Sequence, residues 1–229
     1  MTPAVAIVPA AGSSRRMGRP KLLLPLAGEG AGEGGGGTVI GATLAALAAG
    51  GAGRIATVIR PGDRPLRAWL RGQAAAEIAR RTGRAAGTGP ELVAVVNPHP
   101  ERGMLSSIVI GLEALGGPSG PGSSPPEPLL VCPADLPELA PATVAAVLDR
   151  LAASSAGLAV PVHAGRRGHP LAIAAGLAAE IPGLDPAVGL RQLLERHPDR
   201  LAEVPVADPG CVRDLDTEED YRRLRGREP

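Results

Sequence analysis

Residues 5–28 read VAIVPAAGSSRRMGRPKLLLPLAG and are the part of the sequence from which the fold class is most directly inferred. Its opening run, VAIVP, is short, apolar and bounded by small residues, which predicts a buried β-strand. The loop that follows begins with Ala10, Ala11 and Gly12, and residues this small let a ligand lie close against the backbone. A buried strand that runs into such a loop is typical of an α/β sheet, in which ligands bind at the carboxyl ends of the strands.

Beyond this stretch, short apolar runs alternate with helical patterns over nearly the whole chain. This alternation predicts an α/β fold, a single doubly wound, mostly parallel sheet with helices on both faces. We expect Asp63 to cap a long helix that reaches about Arg81, Pro141 to begin a helix, and Thr217 to cap the closing one. Further strands are predicted at 55–59, 92–96, 129–132, 158–162, 171–173 and 201–206, and further helices at 39–49, 104–115 and 190–196.

The length of 229 residues suits a single domain over residues 1–229. Gly/Pro-rich stretches at 28–37 and 116–128 interrupt the pattern and are expected to be flexible surface insertions. Aromatic residues make up only 1% of the chain, so the core must consist of Ala, Val, Leu and Ile, and base stacking on aromatic side chains is disfavoured. With a formal net charge of +1, no overall basic field steers the protein to nucleic acid or to a membrane surface.

The remaining bulk features predict a cytoplasmic protein. Cys132 and Cys211 form no CxxC pair, as is usual in a reducing compartment. No apolar run reaches the roughly 20 residues that a membrane span needs. The amino terminus lacks the basic leader and long apolar segment of a secretory signal.

The loop after the first strand has the composition of a phosphate-binding segment. Successive backbone amides around Gly12 are suited to binding phosphate oxygens, and Arg16 and Lys21 add positive charge. Two common phosphate loops are excluded. No second glycine follows Gly12 at the spacing of GxGxxG, and Arg19 stands where a Walker A loop requires Lys-Ser/Thr after Gly18.

The same loop carries a resemblance to a known family. Its pattern A-A-G-x-S-x-R-M-G-x-x-K-L-L-L-P-L resembles the signature of nucleotidyltransferases that mature the molybdenum cofactor, most closely the cytidylyltransferases. Guanylyl relatives more often carry Gly at the position of Ala11. The resemblance implies a Rossmann-like nucleotidyltransferase fold, with nucleotide bound by the loop and with Arg16 and Lys21 holding the triphosphate. The matching positions are Ala10, Ala11, Gly12, Ser14, Arg16, Met17, Gly18, Lys21 and residues 22–26.

Isolated carboxylates at strand ends would supply a metal site. Transfer of a nucleotide depends on positioning and charge neutralisation, and Mg²⁺ needs only one or two protein carboxylates because it keeps several waters. Asp135 follows an apolar strand in LLVCPADLPEL, which resembles the family's P-x-D-x-P metal loop. Asp214 and Asp216 lie in CVRDLDTEEDY, which resembles the family's ending, although Glu218 stands where the family usually has Pro. Asp214 is favoured as the second metal ligand, while Asp216 contributes or caps the last helix.

Two further segments complete the resemblance. In NPHPERGMLSSIVIGL, the nucleobase is expected to face Gly103, Ser106 and Ser107. In AGRRGHPLAI, the resemblance places the phosphorylated pterin acceptor at Gly168, His169 and Pro170.

The implied reaction is Mg²⁺-dependent transfer of CMP from CTP to molybdenum-loaded pterin, with a molybdoenzyme apo-protein as a further partner. GTP is the second donor. Sugar-1-phosphate and phospholactate nucleotidyltransferases remain alternatives, because they share the loop and the first Asp. A non-catalytic cofactor carrier is disfavoured by the presence of Lys21 and Asp135, and a nicotinamide-dependent oxidoreductase by the absence of GxGxxG.

Overall fold

The structure is a computed structural model that describes residues 3–14, 16–26, 37–85, 87–116 and 128–226. Of the two predicted insertions, 28–37 and 116–128, the structure describes Gly37, Gly116 and Pro128, and the other residues lie outside the described part of the chain. Among the described residues, no helix is long and apolar enough to cross a membrane.

Eight strands in the described part of the chain form a single sheet, ordered β3-β2-β1-β4-β7-β5-β6, with β8 paired to β5. All seven apolar runs predicted as strands are strands in the structure, although β1, β2, β3 and β5 are longer than predicted. The strands are β1 Ala4–Ala10, β2 Ala52–Ile59, β3 Glu91–Val96, β4 Leu129–Val131, β5 Leu158–His163, β6 Arg166–Arg167, β7 Leu171–Ile173 and β8 Leu201–Pro205.

The sheet is mostly parallel with a short reversed part. β1 runs parallel to β2 and β4, β2 to β3, and β5 to β8. β7 lies antiparallel between β4 and β5, and the two-residue β6 forms a small antiparallel ribbon with β5. The predicted α/β sheet is therefore confirmed. β7 was predicted as a strand but not as an antiparallel one, and β6 was not predicted.

Helices cover both faces of this sheet, as predicted. One core contains buried side chains of α1, α2, α3 and α5, and a second core on the opposite face contains those of α4, α6 and α7. Alternate residues of β1 enter the two cores, as the two-residue period of a strand requires. The helices are α1 Val39–Ala49, α2 Arg64–Gly72, α3 Ala74–Thr82, α4 Met104–Ala114, α5 Pro141–Ala152, α6 Ala175–Ala178, α7 Arg191–Arg196 and α8 Glu218–Arg225.

The long helix expected between Asp63 and Arg81 is instead two helices. Asp63 caps α2 as predicted, because its side chain accepts a hydrogen bond from the Leu66 amide at 3.2 Å. The backbone then leaves helical geometry at Gln73, with φ −124° and ψ −27°, and α3 begins at the next residue. Glycine is a weak helix former, so Gly72 makes this break inexpensive.

Two features of the fold position the candidate site. The order of the strands reverses between β1 and β4, because the chain proceeds from β1 through β2 to β3 and then crosses back to β4. Ligands of open α/β sheets bind at such a reversal point. In addition, Met17, Val39, Leu215 and Tyr221 form a small buried cluster that fastens the first loop to the carboxy-terminal segment.

Candidate active site

A cleft with a volume of about 480 Å³ lies at the carboxyl ends of β1 and β4. Four separated segments of the chain form its walls: the first loop, the start of α4 with the turn before it, the turn after β4, and the segment before α8. The residues that line it are Pro9, Ala10, Ala11, Gly12, Ser13, Ser14, Arg16, Lys21, Leu22, Pro100, Gly103, Met104, Ser107, Pro133, Ala134, Asp135 and Asp216.

The first loop presents unpaired backbone amides to this cleft. No described residue accepts a hydrogen bond from the backbone amides of residues 11–14. Ser14 adopts a left-handed conformation with φ 49°, and its carbonyl accepts hydrogen bonds from the amides of Met17 and Gly18, both at 3.1 Å. A Cβ added to Gly12 would meet no atom within 4 Å, so this side of the loop is open. Such a run of free amides is suited to binding an anion.

Lys21 is the centre of the polar contacts in the cleft. Its Nζ atom lies 2.6 Å from Asp135 Oδ2 and 3.1 Å from Asp216 Oδ1, and it donates to the Leu215 carbonyl at 2.6 Å. Only 11% of its side chain is exposed. Burial disfavours the charged ammonium, but the contacts with Asp135 and Asp216 outweigh burial and raise the pKa of Lys21. The side chain therefore carries a positive charge at neutral pH.

The turn that carries Asp135 is held from three sides. The Cys132 amide donates to the Ile7 carbonyl of β1 at 3.1 Å, and the buried Thr43 hydroxyl of α1 donates to the Ala134 carbonyl at 3.2 Å. The Leu215 amide donates to the Asp135 carbonyl at 2.9 Å. Asp135 is therefore fixed at the end of β4 before any ligand binds.

Of the two carboxy-terminal aspartates, Asp216 lines both the cleft and a neighbouring pocket, whereas Asp214 lines the neighbouring pocket alone. Asp216 lines the cleft and forms an ion pair with Arg16 as well as with Lys21. Burial opposes its ionisation, yet hydrogen bonds and charge from Lys21 hold the pKa of Asp216 below its usual value. Asp214 lines a neighbouring pocket instead, and burial together with the charges of Asp216 and Asp135 raises the pKa of Asp214. Asp220, rather than Asp216, completes the cap of α8, since its carboxylate accepts from both the amide and the hydroxyl of Thr217.

The arrangement of carboxylates fits a hexacoordinate cation that keeps water ligands. Within the described residues, no group of three or more His, Cys, Asp or Glu side chains is arranged to hold a metal ion. Asp135 and Asp216, however, already converge on one cation, the Lys21 ammonium. Mg²⁺ is commonly bound by one or two carboxylates together with substrate phosphates and water, so this pair suffices.

At the other end of the cleft, the polar groups of α4 are positioned by Asn97. Asn97 is fully buried and donates to the hydroxyls of Ser106 at 2.8 Å and Ser107 at 3.0 Å. Gly103 and Ser107 line the cleft, whereas Ser106 contacts the carbonyl of Gly103 at 2.7 Å. Sequence reasoning assigned no role to Asn97; its place directly after β3 was the available signal.

The segment predicted to bind the acceptor lies behind these pockets. Gly168, His169 and Pro170 line neither the cleft nor its neighbour. The His169 amide donates to the Cys211 carbonyl at 2.8 Å, while its Nδ1 atom is buried and has no hydrogen-bond partner. Burial lowers the pKa of His169 against the opposing charge of Asp135, so the imidazole is neutral.

Free amides, a fixed cation and paired carboxylates at the reversal point of an α/β sheet define a nucleotide-phosphate site. The family described as MobA-like NTP transferase domain matches residues 6–201, and the chain belongs to this family. The protein is a nucleotidyltransferase. No curated protein sequence matches the chain.

Several solved structures share the fold. Rv0371c from Mycobacterium tuberculosis H37Rv is 26% identical with a TM-score of 0.69, covering 99% of this chain and 100% of that chain. The same protein in complex with manganese gives 26% identity and a TM-score of 0.65 over the same shares. The 4-diphosphocytidyl-2C-methyl-D-erythritol synthase from Anaerococcus prevotii DSM 20548 is 17% identical with a TM-score of 0.62, covering 97% of this chain and 96% of that chain. A CMP:2-keto-3-deoxy-manno-octonic acid synthetase complexed with CTP is 15% identical with a TM-score of 0.62, covering 98% and 97%.

Proposed function

We propose that this enzyme transfers CMP from CTP to the phosphate of a molybdenum-loaded pterin and releases pyrophosphate. The observation that carries the proposal is the Lys21 ammonium held between Asp135 and Asp216, beside the free amides of residues 11–14. That arrangement supports binding of a nucleoside triphosphate. The pterin acceptor and the cytosine base rest on the resemblance of the first loop and of the Gly-His-Pro and Asp-Leu-Asp segments to the molybdenum cofactor cytidylyltransferases.

In the proposed reaction, an oxygen of the acceptor phosphate attacks the α-phosphorus of CTP and forms a new P–O bond. The bond from the α-phosphorus to the oxygen that bridges to the β-phosphate breaks, and pyrophosphate leaves with that oxygen. Negative charge increases on the leaving group during this step. Lys21, Arg16 and the free amides of the first loop lie on the wall where they would bind the triphosphate and stabilise that charge.

A divalent cation would be held by Asp135 and Asp216, with Asp214 next to them. When bound, Mg²⁺ supplies charge neutralisation at the phosphates and helps to align them. The manganese complex of Rv0371c supports the use of a divalent cation by this fold. Since Lys21 lies between both carboxylates, its ammonium would turn toward the triphosphate when the nucleotide and its metal bind.

The nucleoside would occupy the end of the cleft formed by Gly103, Met104 and Ser107. Asn97 fixes the Ser107 hydroxyl, so a polar edge of the base would meet a preset partner. The resemblance places the acceptor on the Gly168–Pro170 side of Asp135, whose charge acts on His169.

The test is pyrophosphate release with each of the four NTPs and Mg²⁺, with and without molybdenum cofactor. We expect cofactor-dependent release with CTP, and its loss in Asp135→Asn. Asp149→Asn, an exposed carboxylate on α5, is the matched control and keeps activity. Preference for GTP would transfer the assignment to guanylyl transfer. No release with any NTP in the presence of active cofactor would refute the pterin acceptor, and sugar 1-phosphates and phospholactate would be the next acceptors to assay.

A further inference from the structure

A second pocket of about 530 Å³ adjoins the nucleotide cleft. The two share Arg16 and Asp216, so they meet at the carboxylate where the reacting phosphates are proposed to lie. The second pocket is formed by the segment before α8, by α8 itself, by the turn after Asp135 and by β6. Its position beside Arg16 and Asp216 is therefore that of a second substrate that adjoins the reacting phosphates.

Four arginines line this pocket, and two of them are already engaged. Arg16 is paired with Asp216, and Arg223 with Glu219 at 3.2 Å. The side chain of Arg166 has no ion pair or hydrogen bond with any described residue, and the Arg213 guanidinium lies 3.9 Å from the Glu138 carboxylate. Arg166 and Arg213 are thus guanidinium groups whose hydrogen-bonding capacity is free for a ligand.

The backbone that carries these two arginines is rigidly joined. A Cβ added to Gly168 would lie 2.4 Å from the Cys211 carbonyl, so only glycine permits this contact between the two segments. The hydrogen bond from the His169 amide to the same carbonyl completes the junction. Arg167, next to Arg166 on β6, instead pairs with Glu203 at 2.7 Å, because successive strand residues face opposite sides.

The pocket also carries carboxylates, which narrow the kind of ligand it fits. Asp216 is engaged by Lys21 and Arg16, and Asp220 by Thr217. Asp214 and Glu138 line the same pocket beside the two arginines. A ligand with anionic groups alone would face these carboxylates unfavourably. A ligand that combines an anionic group with N–H donors, as an aminopyrimidinone ring system does, complements both signs.

We propose that this pocket binds the acceptor, with Arg166 and Arg213 holding its anionic group and Asp214 facing its hydrogen-bond donors. The inference rests on the proposed function and assigns the acceptor contacts to Arg166 and Arg213 rather than to Gly168, His169 and Pro170. That turn instead holds the two arginine-bearing segments together.

The test compares Arg166→Gln, Arg213→Gln and the double variant with the wild type in steady-state kinetics. Molybdenum-loaded molybdopterin is varied at saturating CTP. We expect the KM for the acceptor to rise about tenfold in each single variant, since each loses a charged hydrogen bond, and further in the double variant. The KM for CTP stays within about twofold, because surface substitutions away from a contact have small effects. Arg222→Gln, an exposed arginine of α8 outside the pocket, is the matched control.

An unchanged acceptor KM in the folded double variant would overturn the inference, as would an equal rise in the KM for CTP. Circular dichroism of each variant establishes that it is folded, and the single variants carry the test if the double variant is not.

If the wild type accepts no phosphorylated pterin, the proposed function fails, and the pocket is tested with inorganic phosphate. Phosphorus NMR of CTP-saturated protein should then show phosphate binding that the double variant loses and Arg222→Gln retains. Absent binding in the wild type, or unaffected binding in the double variant, would overturn the inference.

Discussion

The sequence has 24 Lys and Arg residues, and Lys21 is the only lysine among them. The reason is found in its surroundings. Asp135 and Asp216 approach the same Nζ atom at 2.6 and 3.1 Å, and the Leu215 carbonyl accepts a third contact. A compact ammonium with three rotatable donors fits this space, whereas a planar guanidinium requires a larger one.

This uniqueness makes Lys21 addressable by chemical labelling. We expect an amine reagent to acetylate Lys21 more slowly than the terminal amine, because the Lys21 ammonium is ion-paired and its pKa is raised. CTP with Mg²⁺ should slow the labelling of Lys21 further, because nucleotide would cover its wall of the cleft. Peptide mass spectrometry measures both rates, and the terminal amine serves as the internal control. Equal labelling of Lys21 with and without nucleotide would contradict its placement at the triphosphate.

His169 predicts a pH dependence of stability. Burial lowers its pKa below the ordinary value of 6.5, so the unfolded chain takes up a proton at pH values where the folded imidazole stays neutral. The contribution of His169 to stability is therefore present above pH 6.5 and is lost as pH falls through its lowered pKa. Thermal midpoints between pH 7.5 and 5 should decline more steeply in the wild type than in His169→Gln. His99→Gln, which replaces an exposed imidazole, should follow the wild type, and parallel curves for all three proteins would refute the prediction.

At the scale of the elements, the contact between α4 and β1 decides where the serines of the cleft lie. A Cβ on Gly111 would stand 2.7 Å from Ile7 Cγ2 and 3.1 Å from Val58 Cγ2, both in the core. The β-branched side chain of Ile7 has little freedom to move aside. The missing side chain of Gly111 therefore sets the distance at which α4 packs on the sheet.

We expect Gly111→Ala to destabilise the protein by about 1–3 kcal/mol, the usual cost of overpacking a core. Gly72→Ala is the matched control, because a Cβ there meets no atom within 4 Å. That substitution should be neutral or stabilise by up to about 1 kcal/mol through helix propensity. Chemical denaturation of both variants decides the matter, and equal stabilities of the two would show that α4 moves outward without cost.

The sequence predicted the elements because strands and helices leave periodic patterns that depend on burial alone. It did not predict the break at Gln73, because alanine and arginine continue a helical pattern through a position whose backbone departs from it. The reversed direction of β7 was also hidden, since a three-residue buried strand reads the same in either direction. Strand-end loops pointed to the cleft correctly, as Lys21 and Asp135 show.

At the scale of the whole molecule, the finer arrangement of the cleft depends on contacts that no local pattern records. Asp216 and Lys21 are separated by 195 positions, and their pairing requires the carboxy-terminal segment to return to the first loop. The resemblance of the carboxy-terminal segment favoured Asp214 as the metal ligand, while the geometry places Asp216 beside Asp135 in the cleft. Likewise the acceptor turn was identified by its motif, but which neighbouring side chains line the pocket depends on how β6 packs against Cys211.

Because the cleft joins segments from the beginning, middle and end of the chain, a nucleotide that bridges them should stabilise the whole fold. A ligand at one hundred times its Kd adds about 2.7 kcal/mol to the free energy of unfolding. We expect CTP with Mg²⁺ to raise the Tm of the wild type and of Asp149→Asn, and to raise that of Asp135→Asn much less. Inorganic tripolyphosphate separates the contribution of the phosphates from that of the base. If tripolyphosphate raises the Tm as much as CTP does, Gly103 and Ser107 contribute nothing to recognition of the nucleoside. If CTP raises the Tm more than GTP does at matched saturation of the phosphate contacts, that end of the cleft is the site where the base is selected.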